Sequence, residues 1–355
     1  MKHEAEGFPL RATTSRDGTA LVAQLGARID DALSAMLERG RPVALINFPN
    51  HANPGDNAIW LGALSALRRA GVPVGYVSSW SSFDARVMRH AVGDAPLVLN
   101  GGGNFGDLYA GQQQLRELVL ETCRDRRIVQ LPQSIAFRDP ANLEKMRRLC
   151  AEHPDFTLCV RERRSYEIAQ RAFDVRTVLL PDMAFALPRP QRPARMQRDL
   201  LWLARTDAER VPRDPPPPDF ATDWNIGEPA AGLTARAQRI LAINRRIDQR
   251  RHGGGPAAGT RRRAFAWTFE HLADAWVRRG MDLIGSSRVV VTDRLHAHVF
   301  ALLLDVPHVL LDNSYGKVRS TFDTWTGSSP LVRWADSNDE AWDAVSSLGS
   351  GAARG

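Results

Sequence analysis

Residues 43–69 read VALINFPNHANPGDNAIWLGALSALRR and carry the pattern that decides the fold. Val43–Phe48 is a short apolar run, which is typical of a buried strand. Asn57–Arg69 has the apolar spacing of an amphipathic helix, and a polar loop rich in Asn, Pro and Gly separates the two. A buried strand that leads through such a loop into a helix is the repeating unit of a parallel α/β sheet.

The same unit recurs along the chain. The predicted strands are Val43–Phe48, Val74–Val77, Leu97–Asn100, Ile128–Leu131, Phe156–Val160, Val175–Leu180, Leu200–Ala204, Arg288–Thr292 and Pro307–Leu311. The predicted helices are Asn57–Arg69, Gln113–Cys123, Leu143–Cys150, Arg164–Ala172, Ala235–Ile247, Phe269–Arg279, Arg294–Leu304 and Asn338–Ser347. A chain of 355 residues is too long for one typical domain. We therefore predict an α/β protein with two Rossmann-like, doubly wound domains.

A proline-rich segment at Leu187–Pro193 marks the boundary between the domains. The predicted divisions are an N-terminal extension and first helix at 1–40, a domain at 41–187, a linker at 188–199, a second domain at 200–348 and a flexible tail at 349–355. Arg250–Arg263 reads RRHGGGPAAGTRRR, which predicts a mobile surface loop that is solvated or touches an anionic surface.

Composition limits the classes of protein that fit. The longest apolar runs, such as Val299–Leu304, fall far short of the roughly 20 residues that a membrane helix needs. The N-terminus has no apolar signal region, and the three cysteines form no CxxC pair, so we expect a reduced cytoplasmic compartment. The net charge of +7 suits an anionic substrate or lipid head groups, or simply reflects arginine on solvated faces. No nucleic-acid-binding motif is present.

Polar residues gather where the predicted strands end, which is where open α/β sheets bind ligands. Asn100–Asp107 reads NGGGNFGD, and such a glycine run between strand and helix lets the backbone approach an anion or a sugar closely. It lacks the dinucleotide and P-loop patterns, so a tight structural turn is the alternative.

The segment Thr292–His298 opens a helix directly after a strand. Thr292 or Asp293 is expected to cap this helix, whose first N–H groups favour an anion. Arg294 adds a bidentate donor for carboxylate or phosphate, and His296 adds a hydrogen bond or carries a proton.

Other charged residues leave two interpretations open. Arg161 follows a strand and binds an anion, or else pairs with Glu162. Lys317 lies in a polar loop that binds phosphate or sugar, or else forms a turn. Asp56 and Asp182 are helix caps or carboxylates at the cleft.

Seven segments, in order, resemble the motifs of the polysaccharide pyruvyl transferases, nearest to the branch found in exopolysaccharide operons. They are GDNAIWLG, LNGGGNFGDLY, LPQSI, VRERRSYEIA, LLPDMAFAL, TDRLHAHVFALLL and LDNSYGKVRSTFDTW, between Asn47 and Trp325. The Arg205-Thr206-Asp207 and Asp223-Trp224 elements are also similar to that branch. One departure is Arg161-Glu162, where many members of the family carry Arg-Asp.

The resemblance implies a fold like the GT-B glycosyltransferases, with the domains facing a central cleft, phosphoenolpyruvate (PEP) as donor, and neither cofactor nor metal. It also implies that Arg294, Leu295 and His296 bind PEP together with Arg161 from the other domain, and we add Lys317 to this set. The expected reaction moves the pyruvyl group onto a hydroxyl pair of an exopolysaccharide repeat unit, forming a ketal and releasing phosphate. We expect His296 to carry the proton and Asp56 or Asp182 to act as base.

Further polar residues are expected in the loops that face the acceptor. They are Asn57, Gly102, Gly103, Asn104, Gln133, Ser134, Arg205, Asp207, Asn313, Ser314 and Tyr315. The acceptor is an oligosaccharide, free or lipid-linked, and peripheral contact with the inner membrane face fits the latter. The alternatives are a glycosyltransferase that uses a nucleotide sugar and a non-catalytic sugar-binding subunit of polysaccharide assembly.

Overall fold

The chain folds into two parallel β-sheets flanked by helices, which confirms the predicted α/β class. The computed structural model describes residues 18–192, 195–224, 239, 242–243, 246 and 258–351. Its strands are β1 Val43–Phe48, β2 Val74–Ser79, β3 Leu97–Leu99, β4 Gly102–Gly106, β5 Ile128–Ala136, β6 Phe156–Val160, β7 Arg176–Leu179, β8 Arg198–Leu203, β9 Ser287–Thr292, β10 His308–Leu310 and β11 Val332–Trp334. Its helices are α1 Gly18–Met36, α2 Pro54–Arg69, α3 Ala85–Val92, α4 Ala110–Thr122, α5 Pro140–Glu152, α6 Arg163–Ala172, α7 Ala258–Gly285, α8 Leu295–Leu303, α9 Lys317–Thr321 and α10 Asn338–Gly351.

The first sheet has the order β2-β1-β3-β5-β6-β7, with β4 paired to β5. All of these neighbours run parallel. The chain runs from β1 to β2 on one side and then crosses back to β3 on the other side of β1. Such a switch point opens a crevice beyond the carboxyl ends of the two strands, and ligands bind there in sheets of this kind.

The second sheet has the order β11-β10-β9-β8 and is parallel throughout. Its strands are short, and Trp202, Val291, Val309 and Leu311 pack on one face with α10 residues such as Ala341. The other face joins a larger core that both sheets share.

This shared core joins the two halves of the chain. Phe48 of β1 stacks on Phe269 of α7 with ring centroids 3.9 Å apart, and Trp60 of α2 meets Phe269 edge-on at 6.1 Å. Phe300 of α8 belongs to the same buried cluster. A side chain at Gly280 of α7 would clash with both Phe300 and Pro54 of α2, so the three helices are in close contact. Packing of this density fixes the position of one sheet relative to the other.

Two predictions of local structure need correction. The prediction of a plain loop for the glycine run after β3 is wrong, because Gly102–Gly106 forms strand β4 beside β5. The surface loop predicted at Arg250–Arg263 is wrong from residue 258 onward, where α7 begins, and residues 250–257 lie outside the described part. The helix predicted at Ala235–Ile247 also lies mostly outside it, although the few positions described there are helical.

Among the described helices, none combines the length and the hydropathy required to cross a membrane.

Candidate active site

A cavity of about 350 Å³ lies where the carboxyl ends of the two sheets meet. It is lined by the loops after β1, β3, β6, β8 and β9, by β4, by the first turn of α4 and by the start of α9. The crevice at the switch point of the first sheet therefore forms one wall, and the second sheet supplies the other.

The loop after β1 places the carboxylate of Asp56. Asn47 has a left-handed backbone, with φ of 75°, at a β-bulge near the strand end, and bulges of this kind redirect the chain. Asn53 caps α2 by accepting a hydrogen bond from the Gly55 N–H (2.9 Å), and its amide donates to Asp56 Oδ2 (2.9 Å). His51 lies 3.4 Å from the same carboxylate. Asp56 is thus a carboxylate in the cavity wall, and Asn53 is the cap.

Arg161 is buried at the end of β6 and is both a wall residue and part of an ion pair. Its Nε donates to Ser134 Oγ (2.8 Å) and its Nη1 to Asp182 Oδ2 (2.7 Å). The pairing predicted with Glu162 is secondary, because that carboxylate lies 3.8 Å from Nε. Burial alone would lower the pKa of Arg161, but the carboxylates of Asp182 and Glu162 raise it. The guanidinium therefore stays charged.

Arg294 enters the cavity from the other sheet, at the N-terminus of α8. It is itself the N-cap, with no side-chain cap, so the prediction that Thr292 or Asp293 caps the helix is wrong. Its Nη2 donates to Asp223 (2.5 Å) and Asp207 (3.2 Å), whereas its buried Nε has no partner among the described residues.

Asp182 links Arg161 to His296. Its Oδ2 lies 3.4 Å from His296 Nε2 as well as 2.7 Å from Arg161 Nη1. Burial would raise the pKa of Asp182, but His296 and Arg161 outweigh this and hold it well below its ordinary value. A carboxylate that resists protonation is a weak base, so the geometry favours Asp182 as the group that orients His296.

Lys317, at the start of α9, donates from Nζ to Glu209 Oε2 (2.6 Å) and to the Tyr315 hydroxyl (2.7 Å). Burial lowers the pKa of Lys317 to about 8; Glu209 opposes this, while Arg205 and Arg161 add to it. Glu209 also accepts hydrogen bonds from Tyr109 (3.1 Å) and Asn313 (3.2 Å). Although burial would raise the pKa of Glu209, Lys317 and Arg205 lower it to about 2.

Gly103 in β4 is the point where these groups converge. A Cβ on Gly103 would lie 3.0 Å from Arg161 Nη2, 3.5 Å from the Tyr315 hydroxyl and 3.7 Å from Lys317 Nζ. The absence of a side chain leaves room beside three donors, as the glycine run predicted. Gln133 holds this segment in place, since its Oε1 accepts from the Asn104 N–H (3.1 Å) and its Nε2 donates to Asn100 O (3.0 Å).

Comparison with known proteins gives this cavity a context. The model of the polysaccharide pyruvyl transferase family matches residues 53–315. The chain belongs to that family. It is 32% identical over 297 residues to Pyruvyl transferase 1 of Schizosaccharomyces pombe, covering 80% of this chain and 70% of the yeast protein. It is 30% identical over 293 residues to EpsO of Bacillus subtilis, which is provisionally described as a pyruvyl transferase, covering 81% and 86% of the two chains.

A crystal structure of a Klebsiella pneumoniae protein of uncharacterised function aligns with a TM-score of 0.55 at 17% identity. The alignment covers 88% of this chain and 99% of the other. At that identity the likeness concerns the fold alone.

The predicted pyruvyl transferase site residues fall into two groups. Those that line the cavity are Asp56, Gly103, Asn104, Arg161, Arg205, Asp207, Arg294, Leu295, His296 and Lys317. Those that lie beside or behind the wall are Asn57, Gly102, Gln133, Ser134, Asp182, Asn313, Ser314 and Tyr315. Asn57 is fully buried and supports the loop after β1 by donating to His51 O and Asn53 O.

Sequence reasoning missed several wall residues of this pyruvyl transferase. They are Asn47, Pro49, His51, Ala52, Asn53, Tyr109, Gln112, Glu209 and Trp224, whereas Asn100 and Gly101 belong to the glycine run that the sequence already singled out. Tyr109 and Trp224 stand inside motifs that carry the family resemblance, which was a usable signal. Glu209 has none, because three of its partners, Tyr109, Asn313 and Lys317, are about a hundred residues away along the chain and only Arg205 is near.

The positive charges of the cavity are balanced by carboxylates. Arg161 pairs with Asp182, Arg294 with Asp223 and Asp207, and Lys317 with Glu209. Arg205 also pairs with Asp207 and Glu209. Each cation thus has a carboxylate partner, and recognition of an anion depends on the donor atoms left over rather than on net charge.

His298 lies outside the cavity. It is fully buried, with Nδ1 2.7 Å from His308 Nε2 and Nε2 2.9 Å from Thr326 Oγ1. His308 Nδ1 is 2.8 Å from Val306 O. Burial lowers the pKa of His308 to about 4 and that of His298 well below its ordinary value. Both rings are therefore neutral at physiological pH.

Proposed function

We propose that the protein transfers the pyruvyl group of PEP to a hydroxyl pair of a sugar in an exopolysaccharide repeat unit, forming a cyclic ketal and releasing phosphate. The observation that carries the proposal is the convergence of Arg161 Nη2, Lys317 Nζ and the Tyr315 hydroxyl around Gly103. Three donors around one open position suit an oxygen of a carboxylate or phosphate.

Polar atoms without partners support the same site. Within the described residues, the buried Nε of Arg294, Nε1 of Trp224 and Oδ1 of Asn100 have no hydrogen-bond partner, and all three residues line the cavity. A buried polar group left unpaired costs about 1–3 kcal/mol, which a polar ligand would recover. The N-terminus of α8, which has no side-chain cap, adds unpaired N–H groups and a favourable dipole for an anion.

The reaction balances with the groups at hand. A general acid donates a proton to C3 of PEP, which leaves an oxocarbenium-like C2. One sugar hydroxyl adds to C2 and gives its proton to a base, and the C2–O bond to phosphate breaks with its electron pair leaving on phosphate. The second hydroxyl then adds to C2 and gives its proton to the released phosphate, which completes the ketal, while the proton that the base took from the first hydroxyl balances the one donated to C3. His296 is the proposed acid, oriented by Asp182, and Asp56 is the proposed base.

The carboxylate partners determine how the donor enters. Asp223 is fully buried behind Arg294, whereas the Asp207 side chain is 36% exposed. In our proposal Asp207 moves aside and the donor takes its place on Arg294, while Asp223 keeps the guanidinium oriented. The two halves act as GT-B-like domains, at 41–187 and 200–348, across the cavity. The reaction uses no cofactor, and it takes place in the cytoplasm on a free or lipid-linked acceptor.

The test measures PEP-dependent phosphate release together with pyruvate ketal on an acceptor oligosaccharide. Arg294→Ala should nearly abolish both, and Arg294→Lys, which keeps the charge but loses the planar fork, should recover little. Arg278→Ala is the matched control, because Arg278 is exposed and pairs with Asp274 outside the cavity. Thermal unfolding of each variant separates loss of binding from loss of fold. Near-normal turnover by folded Arg294→Ala would refute the proposal, and binding of a nucleotide sugar but not of PEP would favour the glycosyltransferase alternative.

A further inference from the structure

Two large aromatic side chains stand partly exposed, Tyr109 in the wall of the cavity and Trp80 beside that wall. Trp80 directly follows β2 and is 49% exposed. Tyr109 directly precedes α4, is 42% exposed and lines the cavity. A single exposed aromatic side chain is ordinary, but two on adjoining segments beside one cavity are typical of a binding surface.

The position of Trp80 is fixed from two sides. The Ser79 N–H donates to Ser82 Oγ (2.9 Å) and the Ser82 N–H donates to Ser79 O (3.2 Å), which closes a tight turn around Trp80. The indole also lies against Gly111 of α4, where a Cβ would be 3.3 Å from Trp80 Cε3. The absence of a side chain at Gly111 therefore lets one part of the indole ring pack against α4, and the rest of the ring faces solvent.

Tyr109 connects the Trp80–Gly111 contact to the cavity. Tyr109 and Gln112 both line the cavity, and Gly111 lies between them in the first turn of α4. The Tyr109 hydroxyl donates to Glu209 Oε1 (3.1 Å), which anchors the ring. Burial raises the pKa of Tyr109, and the carboxylates of Glu209 and Asp56 raise it further, so Asp56 lies within electrostatic reach of the ring.

We infer that Trp80 and Tyr109 form a stacking platform for a pyranose ring of the acceptor, next to Asp56. A pyranose presents a face of C–H groups, which packs on the electron-rich face of an aromatic ring, and a rim of hydroxyls. A ring on this platform would direct its rim toward the carboxylate that we propose as base. The inference rests on the proposed function and adds the part of the cavity that holds the acceptor.

The experiment compares Trp80→Ala with the protein in two assays. The first is pyruvyl transfer from PEP, with separate KM values for PEP and for the acceptor. The second is saturation-transfer NMR without PEP, using methyl glycosides of glucose, galactose, mannose and N-acetylglucosamine. Loss of the stacked ring should raise the acceptor KM about tenfold and weaken glycoside binding to match, while kcat and the KM for PEP stay within about twofold.

Three further variants make the test specific. Trp80→Phe keeps an aromatic face and should retain most of the binding. Gly111→Ala should raise the acceptor KM by a smaller factor, since the indole must move by a few tenths of an ångström, although alanine favours the helix more than glycine does. Trp267→Ala is the control, because Trp267 is 58% exposed on α7 and packs against His271 of the same helix, whereas Trp80 packs against Gly111 between two residues that line the cavity.

The outcomes separate this inference from the proposed function. Glycoside binding that depends on Trp80, in a protein that never uses PEP, would support the platform and refute the donor. An unchanged acceptor KM and unchanged glycoside binding in Trp80→Ala would overturn the platform while transfer itself stands. Failure of the unmodified protein to bind any of the four glycosides would also overturn it.

Discussion

Donor binding should weaken as the pH rises through 8, because Lys317 must be protonated to hold an anion. Burial lowers the pKa of this lysine to about 8 in the empty cavity. A bound anion about 4 Å from Nζ contributes on the order of 4 kcal/mol at an effective dielectric constant of 20, enough to raise the pKa by roughly three units. The bound form then stays protonated throughout the range in which the empty form loses its proton.

The consequence is that Lys317 takes up a proton from solution when the donor binds. Near pH 8 about half of the empty sites lack the proton, so binding of PEP should take up about 0.5 proton per site. The association constant should be level below pH 8 and fall about tenfold for each pH unit above it. The donor's own phosphate has a pKa of about 6 and contributes little in this range.

Titration calorimetry at pH 8 in two buffers of different ionisation enthalpy measures the uptake directly. Lys317→Arg remains charged and should abolish both the uptake and the fall in affinity. Glu209→Gln removes the carboxylate that opposes the lowering of the lysine pKa, so the fall should begin below pH 8. An affinity that stays level from pH 7 to pH 9, or an uptake that persists in Lys317→Arg, would contradict the reasoning.

Two other changes test the architecture around the site. A Cβ at Gly55 would lie 2.3 Å from His296 Nδ1 and 2.6 Å from His296 Cβ, so Gly55→Ala should displace the whole His296 side chain. Steady-state kinetics should then show a kcat lowered by about 100-fold, and thermal unfolding a lower melting temperature, because the clash at Cβ cannot be relieved by rotation of the ring; an unchanged kcat would mean that His296 need not stay in place. His308 has a pKa of about 6.5 in the unfolded chain but of about 4 in the folded protein. Its contribution to the free energy of unfolding is therefore complete above pH 6.5 and is lost as the pH falls to 4. Urea unfolding at both pH values should show a loss of about 3 kcal/mol from this ring that is absent in His308→Gln; equal losses in the two proteins would contradict it.

The strands and the positions of the two arginines could be predicted from the sequence. Val43–Phe48 and Phe156–Val160 are continuous apolar runs, and their bounds are as predicted. Arg161 stands directly after a strand and Arg294 stands two residues after one, and the carboxyl ends of parallel strands meet at one edge of a sheet. That rule was sufficient to bring two residues far apart in the chain to the same cavity.

The remaining features depend on contacts that no local pattern encodes. Strand β4 was missed because glycine has low strand propensity and no side chain to form an alternating pattern. The carboxylate partners of Arg161 and Arg294 lie 21 and 71 residues away, respectively, so the near-neutral charge of the cavity became visible only after folding. Trp80 lies in no motif, and the role that we propose for it depends on its contact with Gly111 of α4.

The aromatic contact between β1 and α7 has a consequence for how such enzymes diversify. Because Phe48 and Phe269 belong to one continuous hydrophobic core, each half would expose apolar side chains at this contact if it stood alone. A half taken from a distant homologue would have to reproduce the aromatic packing at this interface. Domains that are joined only by a linker can be exchanged without that requirement. New acceptor preferences are therefore easier to acquire by substitution at the solvent-facing rim than by recombination of halves.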